Sequence, residues 1–213
     1  MIIMKSLPPY FLFLLLFFFK MNSVVYADHL IGGEMKYTYV KTLPNNQQIY
    51  TITTTIYRDV LGGGAGFDSP FYVTVFNLDG NTFKSVSLLL LGSRISPIAL
   101  NNLGVCAKGV PTVQFEKIFY QFSDTVTVNQ KGYLYVHQRC CRSSTITNLE
   151  TPNQQGSSYT SFLSRKAMLL NNSNAIFPFA PPVLMCVKSN FRYQFAATDI
   201  NGNRLKYYLC DPY

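Results

Sequence analysis

The chain has 213 residues, 18 Lys and Arg against 10 Asp and Glu, a formal net charge of +8, 15 Tyr, 17 Phe and no Trp. The charges are scattered and form no basic run, which argues against nucleic acid as a partner. After the N-terminal 27 residues no segment is apolar enough to suggest a membrane span.

The first predicted element is a secretory signal peptide over residues 1–27. Lys5 supplies the positive start, Tyr10 to Phe19 (YFLFLLLFFF) the apolar run, and Val25-Tyr26-Ala27 the small residues before the cut. Lys20 stops the run at about half the roughly 20 residues that a membrane helix needs. Cleavage after Ala27 removes Lys5 and Lys20 and no acid, leaving a net charge of about +6. The mature chain is therefore expected to be secreted or cell-surface associated. A mild, scattered charge suits a solubilising surface better than one built for anionic polysaccharide or lipid headgroups.

Downstream, runs of Tyr, Phe, Val, Ile and Thr alternate with polar residues. GEMKYTYV (Gly33 to Val40) sets Met35, Tyr37 and Tyr39 against Lys36 and Thr38. QIYTITTTIYR (Gln48 to Arg58) puts Tyr50, Ile52 and Ile56 on one face and Thr51, Thr53 and Thr55 on the other. FYVTVFN (Phe71 to Asn77) runs into Leu78-Asp79-Gly80-Asn81, a hairpin turn signal. GYLYVHQ (Gly132 to Gln138) and FRYQFAATD (Phe191 to Asp199) alternate as well. No stretch keeps a 3.6-residue period for three turns, so the fold class is all-β, an Ig-like sandwich. Gly62-Gly63-Gly64 lacks the Gly-Lys-Ser/Thr of a phosphate loop and reads as a flexible connection. Gln154 to Ser158 and Asn171 to Asn174 read as polar loops. FPFAPP (Phe177 to Pro182) reads as a connector, because its prolines cannot donate to a ladder.

Five cysteines remain: Cys106, Cys140, Cys141, Cys186 and Cys210. In an exported chain they read first as disulfide formers. Neighbouring side chains on a strand point to opposite faces. Cys140 and Cys141 are therefore expected to take two partners, Cys106 within the sheet and Cys186 or Cys210 from the C-terminal segment, and not to bond to each other. Zinc on His137, Cys140 and Cys141 fits poorly, since adjacent cysteines cannot turn both sulfurs to one ion as spaced pairs do. A redox centre would want Cys-x-x-Cys at a helix start, which is absent.

HLIGGEMKYTYV, ITTTIYRD, SRISPIA, QRCCRSSTITNLETP and FAATDINGNRLKYYL occur in that order. In this the chain resembles the N-terminal region of large secreted surface proteins of gliding Bacteroidetes, which continue into PKD or Ig-like repeats and a gliding-motility-associated C-terminal sorting domain. The resemblance covers about Asp28 to Pro212 and is most specific at RCCR. It implies a non-enzymatic, adhesin-like surface module linked to gliding motility or attachment. Where the family often has cysteines, this chain has Val60, after Arg58-Asp59, and Ala99, after Ser96-Pro97-Ile98. The resemblance thus implies one disulfide lost between those two places.

ATDINGNRLKYYL is similar to the Ala-x-Asp-x-Asp-Gly-Asp pattern of cadherin-type calcium sites. Asp199 is present, but Asn201 and Asn203 replace two carboxylates. Calcium prefers several charged oxygens. A turn with Asn201-Gly202 at positive φ is the expectation here, with calcium on Asp199, Asn201 and Asn203 as the weaker reading and no other cofactor indicated. His29 and His137 are the only histidines, and the few acids show no pair spaced for glycoside hydrolysis. The domain expectation is a sandwich over 28–165 and, over 176–213, the start of an incomplete second Ig-like or cadherin-like domain. Its strands would be Val183 to Val187, Phe191 to Ala197 and Leu205 to Leu209, the last two forming a hairpin. The functional expectation is a non-enzymatic surface module. An extracellular carbohydrate-binding module comes next and a secreted hydrolase far behind. Extracellular polysaccharide or a surface protein is the expected partner. A row of exposed Tyr on one flat sheet face would favour carbohydrate, whereas two carboxylates facing across a cleft would revive the hydrolase.

Overall fold

The computed structural model describes residues 30–61, 66–98, 113–178 and 184–209. The signal peptide, the triple-glycine loop, Ala99, Cys106, Cys210 and most of the proline-rich connector lie outside the described residues.

Eight strands carry the described fold: β1 (Leu30–Leu43), β2 (Gln47–Asp59), β3 (Phe71–Asn77), β4 (Thr82–Leu88), β5 (Ile95–Pro97), β6 (Phe115–Thr127), β7 (Tyr133–Cys140) and β8 (Gly156–Leu163). They form two antiparallel four-stranded sheets, ordered β1-β2-β6-β5 and β4-β3-β7-β8. This is the expected all-β sandwich. The period-2 pattern of β2 is realised residue by residue: Gln48, Tyr50, Ile52, Thr54 and Ile56 are buried, and the threonines between them face outward. The turn from β1 to β2 uses Asn45 and Asn46 at φ of 61° and 60°, a conformation that Asn tolerates better than most L-residues.

The core forms where the inner faces meet. Tyr37, Tyr50, Ile52, Ile56, Ile118 and Tyr120 of the first sheet pack on Phe71, Val73, Val75, Tyr135 and Leu163 of the second. A buried polar tie crosses it. Asp124 of β6 accepts from the Tyr135 hydroxyl of β7 at 3.0 Å and from the Lys84 ammonium of β4. Burial and the Asp124 charge both push the Tyr135 hydroxyl to a raised pKa, so it stays a donor. Gly33 lets β1 approach β8: a Cβ there would lie 2.7 Å from both the Thr55 carbonyl and the Tyr159 ring. Gly132, at φ +89°, opens β7 where a Cβ would meet the Leu163 carbonyl at 2.3 Å.

After β8 comes α1 (Arg165–Leu169), capped by the Ser164 hydroxyl on Ala167 N–H at 3.1 Å. The loop Asn171–Asn174 then covers the free edge of β1. Tyr37 N–H donates to Asn174 Oδ1 at 2.7 Å, and Tyr39 N–H to Ser173 Oγ at 3.0 Å. A sheet edge left open invites foreign strands, and this loop closes part of it.

Two expectations are corrected here. Gly156–Ser158, read as loop, opens β8: Ser157 and Ser161 are buried, small polar residues on an inner face that a hydrophobic pattern does not flag. The three strands expected after the connector form no ladder among the described residues; Ile176 pairs with Thr198 in an isolated bridge, and residues 184–209 are otherwise irregular. Alternation alone did not suffice, because Phe191, Phe195, Tyr207 and Leu209 are 51%, 66%, 58% and 102% exposed and find no second layer among the described residues.

Candidate binding face

The outer face of the second sheet is assembled by register. Phe83 lies opposite Phe76, Phe76 opposite Leu134, and Leu134 opposite Phe162, so one residue from each of the four strands forms a row across the sheet. Phe83, Phe76 and Phe162 are 72%, 36% and 51% exposed, and the Phe76 and Phe83 rings are 6.0 Å apart. The adjacent row reads Ser85, Thr74, Val136, Thr160. The third holds Ser87 opposite Tyr72 and Gln138 opposite Ser158, with Gln138 Nε2 donating to Ser158 Oγ at 3.0 Å. None of these twelve positions is charged. An apolar stripe beside two rows rich in hydroxyls is a surface with little to offer an ion and much to offer a neutral amphipathic ligand.

At one end of this face the sheet opens. The β3–β7 ladder covers only Thr74–Asn77 against Tyr133–Val136, although β3 begins at Phe71 and β7 runs on to Cys140. A cavity of about 510 Å³ lies there, lined by Asp68, Tyr72, Thr74, Val136, His137 and Gln138 among others. The His137 ring bridges the gap below it. Nδ1 is 2.7 Å from the Tyr72 carbonyl, which can only accept, so Nδ1 carries the proton and Nε2 the lone pair. The ring stacks on Phe71 at 3.9 Å, and Phe71 stacks on Tyr120 at 3.9 Å. Burial holds the imidazole pKa below its usual value, against the opposing pull of the Tyr72 carbonyl and the Asp68 carboxylate. Asp68 is fixed separately: Arg139 Nη1 meets Oδ1 at 2.9 Å, and the Tyr120 hydroxyl donates to its backbone carbonyl at 2.7 Å. His137 Nε2 stands 3.9 Å from Asp68 Oδ2 and makes no hydrogen bond. The Tyr159 hydroxyl, with Ser157 as its polar neighbour, is also buried without a well-formed hydrogen bond.

The cysteine expectation is overturned. Cys140 and Cys141 are bonded to each other, with their Cα atoms 3.0 Å apart. The expectation assumed a continuing trans strand. β7 instead ends at Cys140, and with it the alternation of side chains that a strand imposes. Neither sulfur is left for Cys106, Cys186 or Cys210, or for a metal with His137. Cys186 is itself disulfide-bonded. Among the described residues no group of three or more His, Cys, Asp or Glu side chains is placed to hold a metal ion.

Asp199, Asn201 and Asn203 do come together, as a hydrogen-bonded turn. Asp199 Oδ1 accepts from the backbone N–H groups of Asn201 and Asn203 at 2.8 and 3.2 Å and from Asn203 Nδ2 at 3.1 Å. Gly202 sits at φ +74°. Asn201 Oδ1 accepts from Ser173 N–H at 2.8 Å, and Asn203 Nδ2 donates to Asn172 Oδ1 at 2.7 Å. Asp199 Oδ1 and Asn201 Oδ1 thus accept from N–H donors, and the turn anchors the C-terminal segment to the loop that covers β1. The strands flanking the implied lost disulfide meet β6 from opposite sides: Val60 N–H donates to the Gln114 carbonyl and Ile98 N–H to the Phe115 carbonyl, each at 2.8 Å.

Sequence reasoning placed His137 in a strand but missed the aromatic row, because each Phe is unremarkable until register sets the four strands side by side. No protein-family model, no curated protein and no solved structure matches the chain.

Proposed function

We propose that the chain is a secreted, non-enzymatic adhesive module that attaches a cell surface to neutral extracellular polysaccharide through the outer face of its second sheet. The observation that carries this reading is the uncharged face with its row Phe83, Phe76, Leu134, Phe162. Neighbouring strands step by about 4.8 Å, a distance comparable to one sugar ring. The row thus offers a linear run of apolar contacts to the C–H faces of a polymer, and the hydroxyl rows beside it offer hydrogen bonds to its edge. Adhesion to a surface polymer also agrees with the surface-module role that the resemblance implies.

The hydrolase reading finds less support. Asp68, Glu116 and Asp124 are each committed to a cation, Arg139, Arg58 and Lys84 respectively.

The test is affinity electrophoresis of the mature chain through gels containing xyloglucan, galactomannan or mixed-linkage glucan. Retardation by at least one polymer, lost when Phe76 and Phe162 are both changed to Ala, is the expected result. A mature chain that runs unretarded in all three, or that dimerises through these phenylalanines instead, would overturn it.

A further inference from the structure

We infer that the cavity where β3 and β7 separate is the end subsite of this face and takes a single neutral pyranose residue presenting two adjacent hydroxyls. The inference rests on the polysaccharide reading and adds to it the place where the polymer is recognised, as opposed to merely held.

Position comes first. The cavity of about 510 Å³ includes Phe76 in its wall, so it is continuous with the aromatic row, and its volume falls in the range of ordinary small-ligand sites. Tyr72, 53% exposed, stands in the same wall and offers a ring face to the apolar side of a sugar.

Two polar side chains in its wall present open acceptor oxygens. Asp68 Oδ1 is taken by Arg139, while Oδ2 has no hydrogen-bond donor among the described residues. Gln138 Nε2 gives one of its two N–H donors to Ser158, and its carbonyl oxygen is open to accept. Thr74 adds a hydroxyl. Beneath them His137 Nε2 is buried and makes no hydrogen bond, and it is out of a ligand's reach. Acceptors gathered in this way call for donors. A vicinal diol supplies two hydroxyl donors from adjacent carbons with no net charge. An anion would meet the Asp68 carboxylate directly. A cation would share that carboxylate with the Arg139 guanidinium, 2.9 Å from it, and be repelled. A neutral polyol suffers neither penalty.

The acceptors are also held in place before any ligand arrives. Arg139 and the Tyr120 hydroxyl fix Asp68, and the Ser158 hydroxyl fixes the Gln138 amide. Groups ordered in advance lose little entropy on binding.

The experiment is isothermal titration of the mature chain with oligosaccharides of whichever of the three polymers retards it, comparing the parent with Gln138→Ala, Tyr72→Ala, Asp68→Asn and Phe162→Ala. Gln138→Ala and Tyr72→Ala lie outside the core and leave folding intact, so the test does not depend on Asp68→Asn folding. Each of the three subsite changes is expected to weaken binding about tenfold, and a deoxy oligosaccharide lacking one of the two hydroxyls to bind the parent and Gln138→Ala equally weakly. If all three subsite variants bind as the parent does while Phe162→Ala loses binding, the subsite is refuted and the aromatic face stands. If Phe162→Ala has no effect while the subsite variants lose binding, the aromatic-face reading falls and the subsite survives. If the parent binds none of the oligosaccharides, both are refuted.

Discussion

The two outer faces of the sandwich are made by the same alternation and differ in chemistry. On the first sheet the cross-strand rows read Glu34–Thr55–Phe119, Lys36–Thr53–Gln121 and Thr38–Thr51–Ser123. Charge and short hydroxyls dominate, Gln121 Nε2 donates to Thr53 Oγ1 at 3.1 Å, and the lone Phe119 ring lies under the Arg94 guanidinium at 5.4 Å. On the second sheet no charge interrupts the face and three phenylalanines fall into one row. Exposure of aromatic residues is therefore informative only in arrangement: one exposed Phe beneath an arginine is ordinary surface, whereas an uncharged row is a contiguous apolar stripe.

The contrast would break most visibly at the phenylalanines. Changing Phe76 and Phe162 together to Asp should weaken polysaccharide binding about a hundredfold, because two aromatic contacts are lost and the face gains charge. Thr53→Asp with Gln121→Asp on the other face should leave binding unchanged; affinity electrophoresis decides, and equal losses on both faces would erase the distinction. Next in size is a change to the footing that both faces share. Asp124→Ala removes the tie between the sheets and orphans the buried Tyr135 hydroxyl. It should lower stability by about 2 kcal/mol in urea unfolding, with binding kept at temperatures where the variant remains folded.

A third effect should be confined to the second sheet. Burial lowers the His137 pKa in the folded chain, so the unfolded chain binds the proton more readily. The stability associated with neutral His137 is complete above the unfolded value, near 6.5, and is lost as pH falls below it toward the lower folded value. Unfolding measured between pH 7.5 and 5.5 should show this decline in the parent and a flatter profile in His137→Gln; identical slopes would mean that the ring titrates alike in both states. The smallest effect is expected from Thr53→Val on the first face, within about 0.5 kcal/mol.

Much of the sandwich was legible in the sequence because alternation carries it. Tyr50, Ile52 and Ile56 are buried as their spacing requires, and the Asn81 turn closes β3 onto β4. β8 was hidden because its inner face is partly serine, and serine is also a loop residue. The Cys140–Cys141 bond was hidden because side chains alternate only within a strand, and β7 ends at Cys140. The candidate face was illegible for a different reason. Phe76, Phe83, Leu134 and Phe162 are spread over nearly ninety positions, and only the pairing of β4 with β3, β3 with β7 and β7 with β8 makes them neighbours.

The C-terminal segment sets how the chain meets proteases. A protease must draw an extended, unpaired stretch of backbone into its cleft, which ladder strands resist until they open. Apart from the isolated Ile176–Thr198 bridge and the Asp199–Asn203 turn, residues 184–209 have no ladder, and Lys188, Arg192, Arg204 and Lys206 are all exposed. Among the described residues, trypsin should therefore nick first at Lys188 and Arg192, ahead of Lys36, Arg58, Lys117 or Arg139, which lie within paired strands. The sandwich from β1 to α1 is the body that should outlast the digestion.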